Sequence, residues 1–178
     1  MTENQKKAGY FQIYTGNGKG KTTAALGIAF RAMGHGLKTY IGQFMKGQEY
    51  GELKASRQMT HIKIEQYGKK SLIHATDVPK KDDIEMAKRG LRISQEAMLS
   101  GIYCIVVFDE IITAHFFNLI TMDEMIETIN MKPADVEMIF TGRYAPVELI
   151  AMADLVTEMK EVKHYYQQGV EARRGIER

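Results

Sequence analysis

A segment rich in glycine and lysine, Thr-Gly-Asn-Gly-Lys-Gly-Lys-Thr-Thr at residues 15–23, constrains the fold of this chain more than any other feature. It follows a short β-rich run at residues 11–14 and leads into residues 22–33, which are rich in small residues and read as a helix closed by Gly34-His35-Gly36. In a loop between a strand and a helix, backbone N–H groups and the helix N-terminus converge on anionic oxygens. The segment therefore predicts a phosphate-binding loop in an α/β domain.

The loop ends in the Gly-Lys-Thr of a Walker A motif. Lys21 supplies a mobile cation and Thr22 can coordinate Mg²⁺. The strict motif has glycine where this chain has Thr15, so the match is a variant, and a glycine-rich surface turn is the alternative interpretation. The predicted ATP-binding residues are Gly16, Asn17, Gly18, Lys19, Gly20, Lys21, Thr22, Thr23 and, from a later loop, Arg143.

An acidic pair, Asp109 and Glu110, follows the near-continuous apolar run at residues 103–108 in the manner of a Walker B motif. Such a pair at the end of a buried strand can reach a Mg²⁺ held by the loop on the neighbouring strand. The alternative is that the acids only cap the next helix. The predicted metal ligands are Thr22, Asp109 and Glu110, and Glu110 is either a ligand or a base.

Basic residues follow two later strand candidates. Arg143, in Thr-Gly-Arg after residues 137–140, can pair with phosphate through its forked guanidinium or form a surface salt bridge. Lys163-His164 and Arg173-Arg174 follow the last strand candidate and either cover the nucleotide or belong to a solvated tail.

The rest of the chain alternates β-rich runs with helical spacing. Further strands are predicted at 39–44, 62–67, 103–108, 137–140 and 155–159, and further helices at 84–98, 121–129 and 146–153, with a short one within 46–56. Thr121 is a candidate helix N-cap. This alternation predicts an α/β three-layer sandwich with a mostly parallel sheet, the P-loop NTPase (RecA-like) fold. Ligands of such sheets bind at the carboxyl ends of the strands.

Length and composition exclude several classes of protein. A chain of 178 residues suits one domain, over residues 1–178, with the polar residues 1–8 flexible. The 24 Lys and Arg against 22 Asp and Glu disfavour a polybasic binder of nucleic acid. The single Cys104 permits neither an internal disulfide nor a zinc finger. No apolar run approaches the roughly 18 residues of a membrane span, so we expect a cytoplasmic protein.

Taken together and in order, eight segments resemble the P-loop corrinoid adenosyltransferases, or ATP:cob(I)alamin adenosyltransferases. They are Thr-Gly-Asn-Gly-Lys-Gly-Lys-Thr-Thr-Ala-Ala (15–25), Arg-Ala-Met-Gly-His-Gly (31–36), Gln-Phe-Met-Lys-Gly (43–47), Val-Phe-Asp-Glu (107–110), Thr-Gly-Arg (141–143), Ala-Asp-Leu-Val-Thr-Glu-Met (153–159), Val-Lys-His (162–164) and Gly-Val-Glu-Ala-Arg-Arg-Gly-Ile-Glu (169–177). The loop with asparagine between its glycines and the last segment make the resemblance specific.

The resemblance implies a transferase that moves the 5′-deoxyadenosyl group of ATP to Co(I) of a reduced corrinoid, cob(I)alamin or a cobinamide-type relative, and releases triphosphate. It also implies dependence on Mg²⁺, a homodimer, and a reducing flavoprotein such as flavodoxin. Lys21 and Glu110 become the candidate catalytic residues. Several relatives wall the corrin with aromatic residues, including Trp, after the third strand. This chain has no Trp, and Tyr67, Leu72 and Ile73 are the candidates there.

Two other functions share some of these features. A P-loop ATPase of the motor or switch kind uses the same two Walker elements and releases ADP and phosphate. A nucleoside kinase resembling thymidine kinases is the other, although the chain lacks the zinc-binding cysteines of those enzymes. The products of ATP turnover distinguish all three.

Overall fold

A computed structural model describes residues 8–69 and 79–177, and within them strands and helices alternate along the chain. The strands are β1 (Phe11–Thr15), β2 (Thr39–Phe44), β3 (Ile62–Tyr67), β4 (Ile105–Asp109), β5 (Glu137–Thr141) and β6 (Leu155–Glu158). The helices are α1 (Lys21–Met33), α2 (Gly51–Ser56), α3 (Lys81–Leu99), α4 (Ile111–Phe116), α5 (Met122–Asn130) and α6 (Val147–Met152), followed by a 3₁₀ turn, Tyr165–Gln168. The predicted flexibility of residues 1–7 lies outside the described residues.

The six strands form one sheet in the order β3-β2-β4-β5-β1-β6, and every pairing in the described part of the chain is parallel. This confirms the predicted α/β architecture. One detail of the prediction is wrong. The acidic pair was expected on the strand next to the phosphate loop, but β5 lies between β1 and β4. Sequence patterns predict where strands lie along the chain and do not determine their lateral order.

Helices cover both faces of the sheet, so the core has two halves. On one face the small residues Ala25, Ala29 and Ala32 bring α1 close to the sheet, against residues that include Val107 and Ile139. The other half contains most of the aromatic side chains of the sheet and buried apolar residues of α3 to α6, whereas Tyr14 of β1 lies on the α1 side. A central strand covered on both faces is apolar at every position, which explains the unbroken apolar run of β4.

The predicted elements agree with the observed ones to within a few residues, except for α4. That helix follows Glu110 directly and has six residues, too few for a periodic pattern to be visible in the sequence. The predicted N-cap Thr121 is confirmed: its side chain accepts from the Glu124 N–H, while the Glu124 carboxylate accepts from the Thr121 N–H. Within the described residues, none of the helices combines the length and the apolar character of a membrane span.

Candidate functional site

A cleft of about 560 Å³ lies along the phosphate loop, beside the residues that follow β2, β4 and β5. Residues 17–23 of the loop form one wall, which includes the predicted residues Asn17 and Thr23. The remaining wall comes from α2, from the loops after the strands and from the C-terminal segment, through side chains that include Lys46, Tyr50, Glu52, Glu110, Arg143 and His164. The structure therefore brings the two predicted motifs and Arg143 to the same cleft.

The loop needs glycine for its conformation and for its packing. Gly16 and Gly20 have φ angles of 95° and 121°, which side chains rarely adopt. A Cβ atom on Gly16 or Gly18 would overlap the backbone of Met159, just after β6. The Gly18 N–H donates to the Met159 carbonyl over 2.7 Å, so this loop amide is paired with the residue after β6 and not directed into the cleft.

Lys21, at the start of α1, is folded back onto its own loop. Its Nζ donates to the carbonyl oxygens of Gly16 and Gly18, at 2.7 and 2.8 Å, and the residue is buried. Burial lowers the pKa of Lys21, and the nearby charge of Arg143 adds to this effect, while Glu110 and Asp109 oppose it. The ammonium group is thus largely dehydrated, and its hydrogen bonds to described residues go to neutral carbonyls, which a phosphate oxygen can replace.

Asp109 connects the two motifs across the intervening strand. The carboxylate is fully buried, and its Oδ1 accepts from the hydroxyl of Thr22 at 2.9 Å and from that of Thr141 at 2.7 Å. Its Oδ2 accepts from Gln43 Nε2 at 3.2 Å and from Lys46 Nζ at 2.7 Å. Because Thr141 ends β5, it fills the gap that separates β4 from the loop. The predicted metal ligands Thr22 and Asp109 are therefore in direct contact.

Glu110 has a left-handed backbone, with φ of 64°, and its N–H donates to the Thr141 hydroxyl at 2.8 Å. This conformation is uncommon outside glycine, and it turns the chain sharply between β4 and α4. The carboxylate lines the cleft and accepts a short hydrogen bond from the Thr113 hydroxyl, in the first turn of α4. Glu110 is also the N-cap residue of that helix, as the alternative interpretation of the acidic pair expected. Its side chain, however, makes no capping hydrogen bond to the helix backbone.

Lys46 is a site residue to which the sequence analysis gave no role. Its Nζ lies 2.7 Å from Asp109 Oδ2 and 3.2 Å from the Thr22 hydroxyl oxygen. Burial acts to lower the pKa of Lys46, but the charge and hydrogen bond of Asp109 outweigh it and raise that pKa above its usual value. The signal in the sequence was a lysine two residues after a predicted strand, because the carboxyl ends of parallel strands meet at the ligand-binding edge. The structure adds that β2 pairs with β4, which sets Lys46 beside Asp109.

The C-terminal segment, residues 163–177, also reaches the loop. Part of this segment therefore covers the predicted nucleotide site, while the rest is exposed to solvent. Lys19 Nζ donates to the Tyr165 hydroxyl at 3.0 Å and forms an ion pair of 2.7 Å with Glu177. Glu177 in turn accepts from the Arg173 guanidinium. His164 lines the cleft together with Glu177, whereas Lys163, Arg173 and Arg174 are exposed. Lys19, a predicted ATP ligand, is therefore bound to this segment.

Two of the remaining predicted residues are described. Arg143 is exposed at the cleft, its N–H donates to the Thr113 hydroxyl at 3.0 Å, and it forms no salt bridge with another described residue. Tyr67 is buried under α3. Its hydroxyl contacts the Tyr40 hydroxyl and donates to the Glu65 carboxylate. The other two predicted corrin contacts, Leu72 and Ile73, lie outside the described residues.

The comparisons with known proteins point to one family. The model of the family described as ATP:corrinoid adenosyltransferase BtuR/CobO/CobP matches residues 7–178. The corrinoid adenosyltransferase of Escherichia coli (strain K12) is 32% identical over 183 residues, which cover 99% of this chain and 89% of that protein. The corrinoid adenosyltransferase CobA of Salmonella typhimurium is 31% identical over 187 residues, which cover 99% of this chain and 89% of that protein.

A third relative is longer. An uncharacterised protein of Nostoc sp. is 35% identical over 179 residues, which make up 92% of this chain and 47% of that protein. The chain thus spans about half the length of this relative and most of the length of the E. coli and Salmonella proteins.

Proposed function

The chain belongs to the ATP:corrinoid adenosyltransferase family, and from this premise we propose that it transfers the 5′-deoxyadenosyl group of ATP to Co(I) of a reduced corrinoid. The cobalt supplies both electrons of the new Co–C bond. The C5′–O bond of ATP breaks, and triphosphate leaves with the electron pair of that bond. The acceptor on this proposal is cob(I)alamin or a cobinamide-type corrinoid.

The observation that carries the proposal is the cleft lined by the buried Lys21 and by Thr22, whose hydroxyl contacts the buried Asp109 behind it. Charge develops on the triphosphate as it leaves, and fixed cations and amides that meet this charge lower the barrier. Co(I) is itself the nucleophile, so the protein needs no serine, cysteine or general base to attack C5′. Positioning and charge stabilisation are then the main tasks of the site.

We infer that Mg²⁺ is the metal cofactor. A hydroxyl, that of Thr22, and a carboxylate, that of Asp109, suit a hard cation, and the positive charge of Lys46 already lies against both. The described residues contain no group of three or more His, Cys, Asp or Glu that could hold a metal. Mg²⁺ usually keeps water and substrate phosphates as its other ligands, so it needs few ligands from the protein. Bound there, Mg²⁺ would offset the charge of the triphosphate, and Glu110 would be a further ligand, since the proposed reaction needs no base.

The proposal extends to partners that the sequence resemblance implies. A reducing flavoprotein, such as flavodoxin, would bring the cobalt to Co(I), and the enzyme would act as a cytoplasmic homodimer. The exposed apolar residues Leu155 and Val156 of the edge strand β6 are a surface that suits a second copy. The corrin wall is still proposed at Leu72 and Ile73. The burial of Tyr67 favours a supporting role beneath α3 for that residue.

Product analysis tests the proposed reaction. Anaerobic incubation with MgATP and chemically reduced cobalamin is expected to give a light-sensitive alkyl-cobalt spectrum and one triphosphate for each adenosylated corrinoid. A P-loop ATPase would instead release ADP and phosphate steadily without corrinoid. The absence of adenosylcobalamin under full reduction would overturn the proposal, and steady ADP release would favour the ATPase.

A further inference from the structure

The Lys46 ammonium group lies against the two oxygen ligands that a metal at this loop would use. Nζ contacts Asp109 Oδ2 at 2.7 Å and the Thr22 hydroxyl oxygen at 3.2 Å, while that hydroxyl contacts the other Asp109 oxygen at 2.9 Å. A divalent cation bound by the same two residues would have its oxygens at about 2.1 Å. The ammonium group and the metal therefore compete for one position.

The backbone around Lys46 is shaped to deliver this side chain. Met45 has a left-handed conformation, with φ of 58°, so the chain turns sharply as it leaves β2. A Cβ atom on Gly47 would overlap the carbonyl of Gly68, after β3, so the turn is packed tightly against the neighbouring loop. The centroid of the Tyr50 ring, which lines the cleft, lies 5.6 Å from Lys46 Nζ. The position of the ammonium group is thus set by several elements.

A buried carboxylate needs a positive partner when no metal is bound. Asp109 is fully buried and forms a salt bridge with Lys46, whose side chain is 16% exposed. Removing one partner of a buried pair is strongly destabilising because it leaves an uncompensated charge. Lys46 therefore supplies, in the nucleotide-free protein, the charge that a metal would supply in the complex.

On the basis of the proposed function, we propose that Lys46 is an internal counter-ion, which occupies the metal position until Mg²⁺ and ATP displace it onto the triphosphate. The flexible four-carbon stem allows this movement, and Lys46 already lines the cleft. Metal alone must displace the ammonium group without offering it a new partner. Metal with nucleotide offers it phosphate oxygens. Lys46 thus makes the binding of metal and nucleotide mutually dependent.

Replacement of the charge tests this role without any corrinoid. In Lys46→Met, Mn²⁺ alone, followed by electron paramagnetic resonance, should bind about tenfold more tightly than in the wild type, because its competitor is gone. The melting temperature of the metal-free variant should fall by several degrees, and Mg²⁺ alone should restore it. The wild type should respond little to Mg²⁺ alone. Lys54→Met is the matched control, since Lys54 is exposed and, among the described residues, its ion pair is a distant one of 3.9 Å with Glu49.

A second variant keeps the test decisive if Lys46→Met does not fold. Lys46→Gln retains a hydrogen-bond donor for Asp109 without the charge, and it should show the same gain in Mn²⁺ affinity. Lys46→Arg retains the charge and should remain as weak a metal binder as the wild type. Equal Mn²⁺ affinity in the wild type and Lys46→Gln would overturn the proposal. Failure of adenosyl transfer with these metal effects intact would overturn only the proposed reaction.

Discussion

At the scale of single residues, Lys21 shows how a ligand-binding group differs from a stabilising one. Its ammonium group is buried on the carbonyls of Gly16 and Gly18, and burial lowers its pKa, so the fold gains little from the charge. We predict that Lys21→Ala lowers kcat/KM for adenosyl transfer by about 10² to 10³, the usual cost of losing one oxyanion donor. The free energy of unfolding in urea should stay close to that of the wild type.

Lys54→Ala, which removes an exposed lysine from α2, is the control for this prediction and should keep full activity. Near wild-type turnover in Lys21→Ala would mean that the triphosphate lies elsewhere. A large loss of stability would instead show that the contacts of Lys21 with the loop carbonyls hold the loop together.

Residue type explains which parts of the site could be predicted. Lys21, Thr22 and Asp109 stand in motifs whose residue types follow from the chemistry of phosphate and metal, so their sequence positions were informative. Lys46 and Thr141 act through contacts across neighbouring strands. Such contacts depend on strand order and on the left-handed turn at Met45, neither of which a single sequence reveals.

At the scale of elements, two glycines in helices predict opposite effects of the same substitution. Gly90, in α3, lies against the Tyr67 ring, and an added methyl group would overlap that ring. Gly90→Ala should therefore destabilise the fold by about 1 to 3 kcal/mol, the usual cost of overpacking. Gly27, in α1, has open space around it, and Gly27→Ala should stabilise by about 0.5 to 1 kcal/mol.

Urea unfolding of both variants measures these effects, and each serves as the control of the other. A stabilising Gly90→Ala would show that α3 can move away from β3 at little cost. The sequence placed both glycines within helices but gave no sign of which one faces a neighbouring element.

The cap of α5 predicts a dependence of stability on pH. Burial acts to raise the pKa of Glu124, but hydrogen bonds from the Thr121 N–H and hydroxyl and from Lys88 outweigh it and lower that pKa. The unfolded chain therefore takes up the proton at a higher pH than the folded chain. The stability from Glu124 is present above the unfolded pKa and is lost as pH falls through the lower folded pKa.

Glu124→Gln should accordingly destabilise the protein near pH 7 and cost progressively less in acid, where the wild-type carboxyl group is itself protonated. Unfolding curves at several pH values measure this difference. Glu127→Gln, which removes a carboxylate from the same helix away from its N-cap, is the control. A cost for Glu124→Gln that is the same at every pH would contradict the assignment.

At the scale of the whole molecule, the phosphate loop is tied to the end of the described chain. Lys19 and Glu177 are 158 positions apart, yet they form an ion pair of 2.7 Å. Glu177 also accepts from the Tyr165 hydroxyl and the Arg173 guanidinium. Glu177 offsets the charge of Lys19. On the loop side of the cleft, Lys21 and Lys46 therefore remain as cations for the triphosphate. The C-terminal segment, here called the tail, closes one end of the cleft.

Loss of the Glu177 charge should therefore loosen the tail without unfolding the sheet. We predict that Glu177→Gln is cut by trypsin after Arg173 and Arg174 several times faster than the wild type, because the carboxylate that holds Arg173 and Lys19 is gone. The hydrogen bonds from Arg173, Lys19 and Tyr165 lower the pKa of Glu177, so the wild-type tail should remain protected in mild acid. Glu171→Gln removes an exposed carboxylate from the same segment and is the control. Mass spectrometry measures the rate of cleavage in both variants. Equal rates would show that other contacts hold the tail on the loop. Faster cleavage of Glu177→Gln alone, together with a higher KM for ATP, would show that the tail forms a working wall of the nucleotide site.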